Sequence, residues 1–228
     1  MTSETDKIKE RYERRKKNLP MEEQHRSKNY IYNNFVRIER ESAYSEAIKT
    51  NFSDLGALKL LEIGAGTGDN LFLFNEIGIN PKNTYANELL ADRLVTLGER
   101  YPDVNIIEGD ATLIDSSEHT FDIIFQGTVF TSILDESFKE KLAAKMWSLL
   151  NPGGLFLWYD FAFDNPRNKD VKGVKRREIK KLFPQAENVV FKRITLAPPI
   201  GRKISKLYPL FNAFPFLRTH LVAEIRKK

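Results

Sequence analysis

Three glycines and a set of carboxylates, placed just after apolar runs, are the residues whose types and spacing could do chemistry. Residues 61–70 read LEIGAGTGDN: an apolar run carrying Glu62, then Gly64, Ala65, Gly66 and Gly68, then Asp69. A dinucleotide-binding turn has the pattern G-x-G-x-x-G, which lets a pyrophosphate rest on the next helix N-terminus. Here Asp69 takes the place of the third glycine in that pattern, and its carboxylate would repel a pyrophosphate. No Gly-Lys-Ser/Thr follows, so the loop is not a P-loop. A ligand carrying an ammonium and a sulfonium suits it better, because Glu62 and Asp69 then meet positive charge. Glu88 ends the next apolar segment, where a carboxylate can accept both ribose hydroxyls. Asp110, in GDA, can accept a hydrogen bond from an adenine amino group. Each feature alone has an ordinary structural reading, a tight turn or a helix cap; their order and spacing make the combination specific.

The elements that must position these residues alternate. LKLLEIG reads as a short buried strand and TGDNLFLFNEIG as a helix with Asp69 and Asn70 in its first turn. NTYANEL is a second strand, LLADRLVTLGERY a helix, NIIEGDA a third strand and FDIIFQGTVF a fourth. FKEKLAAKMWSLL is a long helix ended by Asn151-Pro152-Gly153-Gly154, and LFLWYDF is a fifth strand. Apolar strands in βαβα order imply a parallel sheet covered on both faces. VVFKRITLA and THLVAEIRK read as two final strands joined without a full crossover helix, so they are expected to pair antiparallel at the sheet edge. Before residue 57 the pattern is polar and helical, with a break near Leu19 and Pro20 and an amphipathic helix in RIERESAYSEAIKTNF.

On these residues the chain resembles the class I S-adenosylmethionine-dependent methyltransferases. LEIGAGTG resembles their first motif, Glu88 their acidic residue after strand two, GDA their adenine-side motif and LLNPGG the turn before strand five. The resemblance implies a Rossmann-like α/β fold, a seven-stranded mostly parallel sheet with an antiparallel last strand and helices on both faces. It also implies S-adenosyl-L-methionine as cofactor and S-adenosyl-L-homocysteine as product. The implied cofactor-binding set is Glu62, Gly64, Ala65, Gly66, Gly68, Glu88, Leu89, Asp110, Ala111 and Gln126. Residues 57–228 would be the methyltransferase domain and residues 1–56 an N-terminal helical extension, with Tyr12, Arg37 and Arg40 in a lid that excludes solvent. A narrower resemblance, carried by FQGTVFTSILD, LWYDFAFDNPRNKDVKG, EIKKLFP, ITLAPPIGR and FPFLRTHLVAEIRK, is to a bacterial subgroup associated with surface-polysaccharide gene clusters. That subgroup usually has a second Asn where Asp164 stands. It implies O-methylation of a sugar hydroxyl.

Methyl transfer is an in-line displacement, so the enzyme mainly positions the acceptor. A sugar hydroxyl must also lose its proton as it attacks, which calls for a base or a metal. The acceptor is expected beyond the ends of strands four and five, which places Gln126, Thr128, Asp135, Tyr159, Asp160, Asn165 and Arg167 around it. Asp160, after the apolar LFLWY run, is one candidate base, with loop-fixing as the alternative. His220 is the other, with a core position as the alternative. Arg167 could hold a phosphate of a nucleotide sugar or lipid carrier by its fork, or lie on the surface.

The 228-residue chain has 41% hydrophobic and 29% charged residues, ordinary globular composition. It has no cysteine, which excludes disulfides, thiolate metal sites and a cysteine nucleophile. A histidine-built metal site would need all of His25, His119 and His220, and no metal is expected. No apolar stretch approaches the roughly 20 residues of a membrane helix, and MTSETDKIKE lacks the apolar core of a signal peptide, so a cytoplasmic protein is expected. The net charge of +5 gathers in ERYERRKK, KGVKRREIKK and IRKK. It is compatible with RNA, anionic lipid or a phosphorylated acceptor, or with solvated faces alone. Expected acceptors are a sugar, a nucleotide sugar or a lipid-linked glycan. The aromatic segment LYPLFNAFPFL either covers the sheet edge or faces a lipid-linked acceptor or oligomer partner, leaving peripheral membrane contact open. RNA is disfavoured: FQGTVF stands where base-amino methylating enzymes carry Asn/Asp-Pro-Pro-aromatic, and the covalent pyrimidine route needs cysteine. Methylation of another small molecule at N or O, or cofactor binding without turnover, stays open.

Overall fold

The computed structural model describes residues 3–16, 29–166 and 168–228; the expected break at Leu19 and Pro20, His25 and Arg167 lie outside them. The strands are β1 (Leu60–Ile63), β2 (Thr84–Glu88), β3 (Asn105–Glu108), β4 (Phe121–Gly127), β5 (Leu150–Phe161), β6 (Asn188–Leu196) and β7 (Arg218–Arg226). They form one sheet in the order β3-β2-β1-β4-β5-β7-β6. Pairing is parallel from β3 to β5, and β7 runs antiparallel to both its neighbours. The helices are α1 (Glu4–Lys16), α2 (Tyr30–Asn51), α3 (Leu71–Ile77), α4 (Ala91–Arg100), α5 (Glu136–Leu149), α6 (Arg176–Leu182), α7 (Pro198–Ile204) and α8 (Tyr208–Asn212). This is the Rossmann-like sheet expected from the apolar rhythm.

Both faces of the sheet are covered, as continuous apolar strands require. On one face Leu142, Met146, Ile179 and Phe183 of α5 and α6 and their flanks pack on Phe156, Trp158 and Leu221. On the other, α2 turns a helical stripe, Ala43, Tyr44, Ala47 and Ile48, onto Phe125, Leu157 and Tyr159. Tyr44 and Phe74 both lie against the Phe125 ring, with centroids at 5.0 and 5.1 Å.

Three boundaries near the site differ from expectation, while the last two strands pair antiparallel at the sheet edge as expected. The helix after the glycine loop starts at Leu71, with Asn70 at its cap position, so Asp69 stays in the turn. β4 stops at Gly127 and passes into a 3-10 turn at Phe130–Ser132. β5 begins at Leu150 and runs through Asn151–Gly154; Leu150 pairs with Phe121 before a register shift brings Leu155 opposite Ile123. β7 inserts between β5 and β6, leaving β6 at the edge.

Candidate active site

The loops after the parallel strands all open at one edge of the sheet. There a cavity of about 160 Å³ is lined by Gly64, Glu88, Leu89, Asp110, Ala111 and Thr128, with Ile133 and Leu142 on the apolar side and Thr5, Ile8 and Tyr12 of α1 above. The glycine loop is held against β2: the Ala65 amide donates to the Asn87 carbonyl at 2.9 Å, and the Gly66 amide donates to Glu88 Oε2 at 2.7 Å. Glu88 Oε1 accepts from the amides of Leu89 and Leu90, each at 2.8 Å. Two glycines are there for close approach: a Cβ on Gly64 would meet Val129 at 2.7 Å, and one on Gly68 would meet Tyr101 at 2.4 Å, both at positive φ. Asp110 Oδ1 caps the turn through the Thr112 amide at 2.8 Å, while its Oδ2 accepts from the Thr5 hydroxyl at 3.1 Å.

On the other side of the glycine loop, a cleft of about 320 Å³ is lined by Arg37, Arg40, Glu41, Asp69, Asn70 and Arg100. Glu62 lies beneath it, 1% exposed. Its Oε1 accepts from Asn70 Nδ2 at 2.7 Å, but its Oε2 is buried without a partner, as are the Tyr44 hydroxyl and Arg40 Nε. Burial pushes the Glu62 carboxyl up to about 8 against the opposing pull of the Asn70 bond and the Arg40 charge. An unpaired buried carboxylate oxygen is costly alone and suited to an ammonium. The Arg40 guanidinium lies over the Tyr159 ring, 5.5 Å from its centroid, and can offer its fork to a carboxylate.

The expected acceptor-side residues divide. Thr128 lines the cavity, is exposed and holds φ at 62°, a left-handed conformation for a β-branched residue that is found mostly at functional sites; its amide donates to the Tyr159 carbonyl at 2.8 Å. Asp160 is fully buried. Its Oδ1 accepts from the Thr131 hydroxyl at 2.6 Å and its Oδ2 from Gln126 Nε2 at 3.1 Å. Gln126 in turn accepts from the Val129 amide at 3.0 Å, so Gln126 and Asp160 brace the turn after β4 and neither lines the cavity. Burial raises the Asp160 carboxyl to about 7, outweighing those two bonds. Asp135 caps α5, accepting from the Phe138 amide at 3.0 Å and the Ser137 hydroxyl at 2.6 Å. Asp164 holds the Gly173 amide at 2.9 Å, and Asn165 lies exposed in the same loop.

Tyr159 and His220 lie on the opposite face from Asp160, because side chains alternate along β5 and β7 pairs Phe161 with His220. The His220 ring stacks on Tyr159 at 5.2 Å and meets Phe161 edge-on. Burial, with the Arg40 charge added, lowers the imidazole to about 4. The Thr219 hydroxyl stands 3.1 Å from His220 Nδ1 and 3.4 Å from the Thr195 carbonyl. A hydroxyl that donates to that carbonyl would accept from Nδ1 and leave the lone pair on Nε2.

Sequence reasoning missed Arg93 and most of α1. Arg93 Nη1 stands 4.0 Å from Glu88 Oε2, with its guanidinium 4.5 Å from the Tyr12 ring centroid. Its place one turn beyond an acidic strand end was a usable signal. Thr5, Ile8 and Tyr12 share one helix face by spacing, but nothing in the sequence says what that face covers. Contact is made by the buried pair of Glu4 and Arg11 at 2.6 Å. Arg11 also donates to the Ser132 carbonyl at 3.1 Å, and Glu4 accepts from the Leu134 amide at 3.2 Å.

Residues 60–154 match the family profile described as Methyltransferase domain, and Glu62, the three loop glycines, Glu88 and Asp110 all fall within them. Among solved structures, the chain is similar to the N-methyltransferase NodS from Bradyrhizobium japonicum WM9, with a TM-score of 0.63 at 15% identity over 85% of this chain and 97% of that one. It is also similar to magnesium protoporphyrin IX methyltransferase (ChlM) from Synechocystis PCC 6803 with bound S-adenosylmethionine: TM-score 0.61, 10% identity, over 88% and 85% of the two chains. A third similar structure is the glycopeptide N-methyltransferase MtfA complexed with S-adenosylmethionine: TM-score 0.58, 15% identity, over 82% and 86%. At these identities the likeness speaks for the fold. Comparison with curated proteins gave no match. With the glycine loop, Glu88 and Asp110 gathered at the open edge of the matched region, residues 60–154 of this chain form an S-adenosylmethionine-dependent methyltransferase domain.

Proposed function

We propose that the enzyme methylates a sugar hydroxyl of a surface glycan or its precursor. The observation that carries this reading is His220, stacked on Tyr159 at 5.2 Å with Nδ1 3.1 Å from the Thr219 hydroxyl, where burial keeps the imidazole neutral around pH 7. A hydroxyl acceptor needs a proton acceptor, since it sheds its proton as the new carbon–oxygen bond forms, and an unprotonated imidazole can take it. The sequence resemblance of the second half of the chain to the polysaccharide-associated subgroup supports the same acceptor class.

When bound, the cofactor supplies a methyl group on a positively charged sulfur. In this reading Glu88 accepts from the ribose hydroxyls, Asp110 from the adenine amino group, and Leu89 and Ala111 flank the base. Glu62 Oε2 takes the ammonium and Arg40 the carboxylate of the amino-acid end, which satisfies polar atoms that are otherwise orphaned in a buried place. Thr128 and Tyr159 flank the acceptor, and His220 Nε2 takes its proton. Asp160 is assigned to bracing the turn that carries Thr128. Residues 1–56 serve as the lid, α1 over the adenosine side and α2 over the glycine loop.

An amine acceptor is the second reading, favoured by the likeness to NodS and MtfA, both N-methyltransferases by name. The test is transfer of labelled methyl from S-adenosylmethionine into fractionated host extract, with a Glu88→Ala/Gly66→Arg double variant as control. Label in glycan, lipid-linked sugar or nucleotide-sugar fractions supports the first reading. Label on amines supports the second, and label in RNA overturns both.

A further inference from the structure

Between β6 and β7 the chain spends residues 197–217 on α7, α8 and the turns around them. β6 ends at Leu196 opposite Arg218, and Phe161, the end of β5, pairs with His220. The connection therefore leaves the sheet at the same edge as the cofactor loops. Half of its apolar side chains turn inward: Tyr208, 1% exposed, packs with Tyr32 and Leu196 and stacks on Phe35 at 5.1 Å. The Tyr208 hydroxyl and the Asn212 side chain both bond to Glu39, so the segment is firmly seated.

Four other apolar side chains are largely exposed. Leu207 is 55% exposed, Leu210 62%, Phe214 47% and Phe216 73%, a density of large bare side chains that a surface segment does not need. Arg202, Lys203 and Lys206 are exposed on the same segment, and from residue 197 to 219 there is no acidic residue. Glu39, the acid that reaches it from α2, is turned inward by the bonds just named.

We propose that this segment docks the enzyme on the surface of a bilayer carrying anionic headgroups. Leucine and phenylalanine side chains enter the boundary between headgroups and acyl chains, and the cations sit among the headgroup charges. Charge complementarity selects this occupant over a second copy of the chain. A two-fold contact through this patch would gather two cation clusters into one interface with no acid from residues 197–219 to meet them. Among the described residues no helix is long and apolar enough to cross a membrane, so the contact is peripheral. Because the patch and the cofactor loops share an edge, docking would present the catalytic mouth toward the membrane.

Vesicle co-sedimentation of the full chain tests this without turnover, so its outcome is separable from that of the acceptor assignment. The probes are phosphatidylcholine vesicles with and without phosphatidylglycerol. Wild type is expected to partition onto the anionic vesicles, less so at high salt. Lys203→Gln/Lys206→Gln should partition about 25-fold more weakly, about fivefold for each cation removed. Phe214→Ser/Phe216→Ser should lose at least about tenfold. Melting temperature and S-adenosylmethionine affinity verify that each variant is folded. Absence of wild-type binding, or equal binding by folded variants, would overturn the proposal. So would a wild-type dimer that the phenylalanine variant converts to monomer, which would give the patch to a second copy.

Discussion

Glu62 and Asp160 are two carboxylates buried at the same edge of one sheet, on β1 and β5, and they have opposite fates. Both are pushed upward by burial, to about 8 and about 7. Asp160 has protein donors on both oxygens, whereas Glu62 keeps one oxygen unpaired. A shifted pKa therefore does not separate these two carboxylates; the unpaired oxygen of Glu62 does. Asp160 closes a network within the protein, and in the proposed reading the cofactor's ammonium completes Glu62.

The largest expected effect tests the brace. Asp160→Ala leaves the Thr131 hydroxyl only the Thr128 carbonyl at 3.2 Å and the Gln126 amide only the Tyr159 carbonyl at 3.5 Å, and urea unfolding should show a loss of about 3 kcal/mol. Asp160→Asn should restore part of that and keep kcat. If it instead held its stability while kcat fell a thousandfold, proton transfer would pass to Asp160 and the contrast with Glu62 would collapse.

The next effect is on affinity. Glu62→Gln should leave stability unchanged or higher, yet weaken S-adenosylmethionine by about 10- to 50-fold, the loss of one charge-assisted contact. Isothermal titration would read it, and an unchanged Kd would remove Glu62 from the ligand.

Protonation sharpens the same contrast. Glu62 is mostly protonated at pH 7, and an ammonium beside it favours the charged form, so cofactor binding should release up to about one proton. Titration in buffers of different ionisation enthalpy counts it, and Glu62→Gln should abolish it. For stability, the folded chain holds protons on Glu62 and Asp160 well above their ordinary values of 4.5 and 3.8, so stability falls as pH rises, until about 8 and about 7. His220 acts in the opposite sense: lowered from 6.5 to about 4, it makes stability rise with pH between those values. Above pH 6.5 only the fall remains, and melting temperature should drop from there toward pH 8.

Tyr12→Ala should give the smallest change, about 0.5–1 kcal/mol in cofactor binding, from the lost stacking with Arg93 at the cavity mouth. A larger loss would mean that α1 undocks altogether.

Much of this molecule was legible beforehand where the signal is local. Each strand announced itself as a short apolar run, and the glycine loop, Glu88 and Asp110 followed their strand ends as expected. Less legible were residues whose task depends on a distant neighbour. Asp135 reads as readily for an acceptor contact as for the cap it makes. Thr5 reaches the cavity only because an element far along the chain is folded against its own.

The sequence alone determined the period of its strands, the turn chemistry of its glycines and the order of its carboxylates, because these depend on neighbours a few residues away. The tertiary structure decided which face of β5 each side chain took, so that Asp160 and His220 became separated by the sheet. It also decided which buried oxygens found donors and which half of residues 197–217 was left uncovered. Those outcomes are set by contacts between segments 30 to 160 residues apart, and spacing along a chain does not encode what distant elements bring together.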